Sequence, residues 1–253
     1  EGLASDGGLF VPQALPSFDK TLDEFAQMDY RQTAYEVMKL LLTDYTEEEL
    51  RAIAEVVVAN DFYVVADEMY ENLVYGEQKH VSIASLGKDI YDRTITCSGV
   101  AKSYAMTGWR LGYACGPQVI LKQILKIHQF AIMCAPTTSQ YAAIEALRHG
   151  DDDVEKMRDE YDRRRRFLLN AFEEMGIECF EPYGAFYMFP SIKKFGMSSD
   201  EFATRLLKEE KIAVVPGTAF GDCGEGFLRI SYAYSIDDLK AALERIGRFI
   251  KKL

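Results

Sequence analysis

The chain has 253 residues, 48% of them hydrophobic and 27% charged, enough to bury a core in one large domain or two small ones. A formal net charge of −11 argues against nucleic acid or an anionic membrane as the main partner, but allows a local basic pocket for a small anion. The 5 cysteines, an odd number without CxxC or Cys/His ligand spacing, read as reduced and mostly buried thiols of a cytoplasmic protein, and the 3 scattered histidines point to no metal.

At the N-terminus, Glu1 to Asp6 lack the basic and apolar regions of a signal peptide, and the missing Met reads as a fragment or a trimmed chain. Turn signals at Gly7-Gly8, Pro12 and Pro16 flank a short strand pattern, Leu9-Phe10-Val11. Residues 29–43 carry apolar side chains at helical spacing. Thr46 and Glu49 have the spacing of a capping box, and Leu50, Ile53, Ala54 and Val57 continue on one helix face. The run Phe62-Tyr63-Val64-Val65-Ala66 then ends abruptly in Asp67-Glu68, which predicts a strand of a parallel sheet covered on both faces. Strands are predicted at 93–98 and 111–115, and helices at 117–132 and 137–148, an α/β alternation.

A polar helix is predicted from Asp151 to Met175, with three aspartates at its positive end. Arg163 to Arg166 spread around that helix and read as a solvated or carboxylate-paired face. The rest reads as an α+β unit, with strands at 177–181, 185–190, 212–216 and 227–233 and helices at 199–210 and 236–252. No stretch is long and apolar enough to span a bilayer.

The candidate chemistry lies where strands end, the place where open α/β sheets bind ligands. Asp67 ends the first strand, with Tyr70 three residues on; Ser98 ends the second, with Lys102 in the loop after it; Arg110 precedes the third. The string Ser98-Gly99-Val100-Ala101-Lys102-Ser103-Tyr104-Ala105-Met106-Thr107-Gly108-Trp109-Arg110-Leu111-Gly112-Tyr113 resembles the lysine segment of class I/II aminotransferases, of pyridoxal 5′-phosphate (PLP) fold type I. Asp67-Glu68-Met69-Tyr70 resembles the family's Asp-x-x-Tyr. Gly184-Ala185-Phe186-Tyr187, Val214 to Gly221 and Phe227 to Ala233 resemble its C-terminal domain.

The resemblance runs from about residue 46 to the end and implies a truncated PLP-transferase large domain at 46–150, with a mixed, mainly parallel sheet. A linking helix and a small α+β domain would follow at 151–253. It implies Lys102 as the Schiff-base lysine and general base. Asp67 would pair with the pyridine nitrogen and Tyr70 would donate to the ring oxygen. Arg110 and Ser98 would contact the phosphate, and Arg229 would grip the substrate carboxylate. The implied reaction moves an amino group between an L-amino acid and a 2-oxo acid, in a family that is usually homodimeric. Other readings are a β-lyase of the same fold type and a non-catalytic chimeric fragment.

Residues 1–45 resemble a different family. Gly2 to Pro12, with Tyr30 to Tyr35, looks like the N-terminal segment of threonine synthase, a PLP family of the unrelated fold type II. The join falls near Thr43–Glu49 and reads as a fusion. The Gly-containing phosphate loop, stacking aromatic ring and Asn-Pro-x-x-Pro-Thr-Gly segment of the aminotransferases are not visible here, which implies impaired activity and apolar faces left bare.

Overall fold

The computed structural model describes residues 47–253. The strand and helix patterns before residue 46, and the capping role of Thr46, lie outside the described residues. The first helix, α1 (Glu47–Ala59), buries Ala54 and Val57 against Ile83 and Ile90. Strand β1 (Val64–Asp67) follows. After the short helix α2 (Lys88–Tyr91) comes β2 (Thr94–Gly99), and then β3 (Gly112–Cys115).

Strands β1 and β2 run parallel, with Val64 beside Thr94 and Asp67 beside Cys97. Strands β2 and β3 run antiparallel, with Ser98 opposite Tyr113 and Gly99 opposite Gly112. The sheet is therefore mixed, in the order β1-β2-β3. Val64 and Ala66 pack toward the α1 cluster, but Val65 on the other face is 58% exposed. The expectation that this strand is covered on both faces is corrected: one helix layer shields one face, and among the described residues β1 is an edge strand.

Two helices follow, α3 (Gln118–Ala131) and α4 (Thr137–His149). Helix α3 has no buried residue, and its Phe130 is 98% exposed. The long helix α5 (Asp151–Glu174) places Leu168 and Phe172 in the main core with Ile177, Met188 and Tyr232.

The second sheet is antiparallel, in the order β4-β6-β5. It consists of β4 (Tyr187–Met188), β5 (Val215–Pro216) and β6 (Leu228–Ser231). Helices α6 (Ser199–Glu210) and α7 (Ile236–Ile250) are capped by Ser198 and Ser235, which accept hydrogen bonds from the amides of Glu201 and Asp238. Phe202 and Leu206 of α6 meet Ile246 and Phe249 of α7 in a second core.

Three expectations are corrected. Residues 177–181 form no strand: Ile177 is buried in the core, and the segment's link across to Ser191 is a single bond to the Glu178 carbonyl. The thiols are all free, but Cys115 on β3, Cys134 after α3 and Cys223 in the short turn Asp222–Gly224 are exposed rather than buried. All four arginines pair with carboxylates, one of the two expected readings, but Arg165 is buried, with Asp162 at 2.7 Å and Glu181 at 2.6 Å.

The chain after β1 holds the two sheets together. The Tyr75 amide donates to the Tyr183 carbonyl, and the Ala185 amide donates to the Leu73 carbonyl, both at 2.9 Å. The hydroxyls of Tyr75 and Tyr232 both donate to the Ala185 carbonyl. Residues 184–187 are thereby fixed beside the carboxyl end of β1.

Candidate active site

Strand direction gathers the candidate residues. Because β1 and β2 are parallel, Asp67 and the Ser98–Lys102 segment leave the sheet at the same edge. Because β3 is antiparallel to β2, Arg110 enters β3 from that edge too. The close pairing needs glycine: a Cβ on Gly99 would stand 2.8 Å from the Cα of Gly112.

The loop that carries Lys102 is anchored from below. Val100 and Met106 are buried against Ala143 of α4, and the Ser139 hydroxyl donates to the Trp109 carbonyl at 2.7 Å. Arg110 takes a left-handed backbone conformation (φ 53°) and donates to the Thr107 carbonyl at 2.9 Å. Its side chain is otherwise exposed and pairs with no acid among the described residues.

Lys102 is half-buried, and its Nζ lies 5.8 Å from the ring centre of Tyr70 and 5.5 Å from that of Phe186. No carboxylate pairs with it among the described residues. The Asp67 carboxylate accepts the Met69 amide at 3.2 Å and is likewise free of any cation among the described residues. Burial pushes the Tyr70 phenol well above the ordinary tyrosine range, reinforced by the Tyr187 hydroxyl at 3.4 Å. The Tyr70 hydroxyl donates to that of Tyr187 in this arrangement.

Ser98 is buried, and its hydroxyl donates to Glu71 at 2.9 Å rather than toward the open edge. Glu68, also buried, accepts from Ser82 at 2.8 Å and meets His80 at 3.2 Å. These two glutamates brace the turn that presents Tyr70.

Arg229 sits on β6, opposite Val215 of β5. Its guanidinium carbon is 4.6 Å from the ring centre of Tyr187 and 4.7 Å from that of Phe220, and no acid pairs with it among the described residues. Phe186, Tyr187 and Phe220 had no assigned role in the sequence reading. The signal available was that two of its quoted strings contain them.

The donor set suits PLP. Among the described residues, a lysine amine free of acids, a strand-end carboxylate free of cations, a half-buried phenol and two guanidiniums without an acid complement an aldehyde, a protonated ring nitrogen, a ring oxygen, a phosphate and a substrate carboxylate.

Residues 43–246 match the aminotransferase class I and II family, and the chain belongs to that family. Its members are PLP enzymes. Residues 1–57 match the threonine synthase N terminus.

Among individual relatives, YugH of Bacillus subtilis is 51% identical over 208 residues, which are 82% of this chain and 53% of that one. An aspartate aminotransferase of Pyrococcus abyssi is 44% identical over 81% of this chain and 53% of its own. The solved structure of an aromatic aminotransferase from Pyrococcus horikoshii superposes with a TM-score of 0.80 at 39% identity, over 88% of this chain and 65% of that one. The chain spans about half the length of the sequence relatives it matches. Among the described residues, no helix is long and apolar enough to cross a membrane.

Proposed function

We propose that this chain is built for amino transfer between an L-amino acid and a 2-oxo acid, with PLP as cofactor. The single observation that supports this best is Lys102, an amine without an acid partner among the described residues, facing Tyr70 and Phe186 at the sheet edge that also carries Asp67. PLP, when bound, supplies an aldehyde and an electron-withdrawing ring. Lys102 would be the residue that holds the aldehyde, and its Nζ would serve as the base for the substrate Cα proton. Asp67 would hold the ring nitrogen protonated, and Tyr70 would donate to the ring oxygen. Arg110 holds the phosphate by charge-assisted hydrogen bonds. Ser98 is the weaker phosphate candidate, since Glu71 already takes its hydroxyl. Arg229 offers a bidentate fork to the substrate carboxylate.

A cytoplasmic protein of amino-acid metabolism fits this chemistry. The two family matches, meeting at residues 43–57, support a fusion of a threonine-synthase-like segment at 1–45 with a large-domain portion at 46–150 and a small domain at 151–253. The bare Val65 and Phe130 favour a second reading, in which the chain works only in association, as a homodimer or with another polypeptide, and is a non-catalytic fragment alone.

Visible absorption spectra with added PLP, before and after a panel of amino acids, test the proposal. The expected result is a band that forms with PLP, changes with amino acids, and returns when a 2-oxo acid is added. Absence of any band contradicts the proposal. Ammonia release without a 2-oxo acid replaces amino transfer by β-elimination.

A further inference from the structure

The Arg229 guanidinium is flanked by two rings that come from different parts of the chain. Tyr187 belongs to β4, the strand that pairs with β6 on the side opposite β5. Phe220 closes the short helical turn Gly217–Phe220 after β5. That turn is drawn tight against β6: the Gly217 amide donates to the Phe227 carbonyl at 2.9 Å, and a Cβ on Gly217 would overlap the Gly224 carbonyl. Phe220 also meets Phe189 edge-on, 6.2 Å between ring centres, and Phe189 stacks on Phe227 at 5.2 Å. On the other side, the Tyr187 ring rests against Phe186 at 4.9 Å. Each ring therefore has its own support, and neither depends on the arginine for its place.

We propose that Tyr187 and Phe220 are the positioning residues of a carboxylate-binding arginine: their rings hold the Arg229 guanidinium, 4.6 Å and 4.7 Å away, as a ready-made fork for the carboxylate of an amino or 2-oxo acid. The proposal rests on the carboxylate role given to Arg229 above. A free arginine side chain gives up much rotamer freedom when it meets a carboxylate, and a guanidinium already stacked between rings has given it up beforehand. Rings satisfy a cation by its faces and leave its N–H edge open, whereas a paired acid would occupy that edge. This explains how an arginine can be half-buried without an acid among the described residues and still be ready for one. It is the ring of Tyr187 that does this; its hydroxyl is turned to Tyr70 at 3.4 Å.

The test uses the full chain without PLP and propionate as probe, with propionamide as the uncharged control, followed by ligand-observed NMR titration. Arg229→Leu should abolish the difference between the two probes. Tyr187→Leu and Phe220→Leu should each weaken propionate by about threefold to thirtyfold, the range of one cation–ring contact. Tyr187→Phe, which keeps the ring, should restore the wild-type affinity. With PLP and substrates present, the same two leucine variants should raise KM with little change in kcat.

Unchanged propionate binding in both leucine variants overturns the positioning role while leaving the carboxylate assignment intact. A loss in Tyr187→Phe as large as in Tyr187→Leu overturns the ring-based account. Unchanged binding in Arg229→Leu overturns the carboxylate assignment itself, and the positioning role with it. Because the probe is titrated without PLP, none of these outcomes depends on whether amino transfer occurs.

Discussion

Lys102 and Tyr70 meet across the carboxyl edge of the first sheet, with the Lys102 Nζ 5.8 Å from the Tyr70 ring centre. One comes from the loop after β2 and the other from the turn after β1, so their approach depends on the parallel pairing of those strands. Tyr70→Phe keeps the ring beside the amine and removes only the hydroxyl. The expected outcome is retained PLP capture with amino transfer slowed by about tenfold, the effect of one hydrogen bond. Spectral titration with PLP and single-turnover rates check the two parts separately.

Asp67 carries the charge that would keep the cofactor ring protonated. Asp67→Asn leaves the Met69 amide an acceptor but removes the negative charge. Amino transfer should fall by about 10²-fold or more, comparable to the loss of one preorganised electrostatic contact. PLP affinity should weaken as well, and equilibrium dialysis measures it independently of turnover.

The Glu68–His80 pair predicts a pH-dependent stability. Burial pushes Glu68 upward, but hydrogen bonds from His80 and Ser82 outweigh it and hold the carboxyl below its usual 4.5. The hydrogen bond to Glu68 raises His80 above its usual 6.5, against burial. A raised histidine contributes stability that is fully present below 6.5 and is lost as pH climbs through the raised value. A lowered carboxyl contributes stability that is present above 4.5 and is lost as pH falls through the lowered value. Urea unfolding should therefore show stability falling as the pH is raised from 6.5 through the raised His80 value, and His80→Asn should flatten that decline.

Arg165 is a buried cation held by Asp162, Glu181 and the Pro182 carbonyl, with its guanidinium over the Tyr75 ring. Arg165→Met removes the charge and its hydrogen bonds but keeps most of the side-chain volume. The acids it leaves behind reach solvent, so the cost should be about 2–3 kcal/mol, that of hydrogen bonds to a charged group. Chemical denaturation measures it.

Much of the site edge was legible in the sequence because local patterns carry it. The apolar run that stops at Asp67 marks a strand end, and β1 closes on that residue. The order Ser98, Lys102, Arg110 survives as a loop bound to one edge because both flanking strands pair with each other. The roles of Tyr187 and Phe220 were not legible, since their contact with Arg229 is made by strand pairings between distant segments.

The burial of Arg165 was missed for another reason, although its pairing with carboxylates was one of the expected readings. Four adjacent arginines suggest a polar surface, yet position 165 shares a helix face with Tyr161, Leu168 and Phe172. That spacing was the available signal. The false strand at 177–181 came from alternating apolar residues that serve the core without a partner ladder.

The reading of the whole site comes down to one amine capturing one aldehyde. Incubation of the chain with PLP, reduction with borohydride and peptide mapping by mass spectrometry test this directly. The predicted result is a phosphopyridoxyl group on the peptide containing Lys102, absent in Lys102→Ala. Label scattered over surface lysines, or none on that peptide, contradicts it.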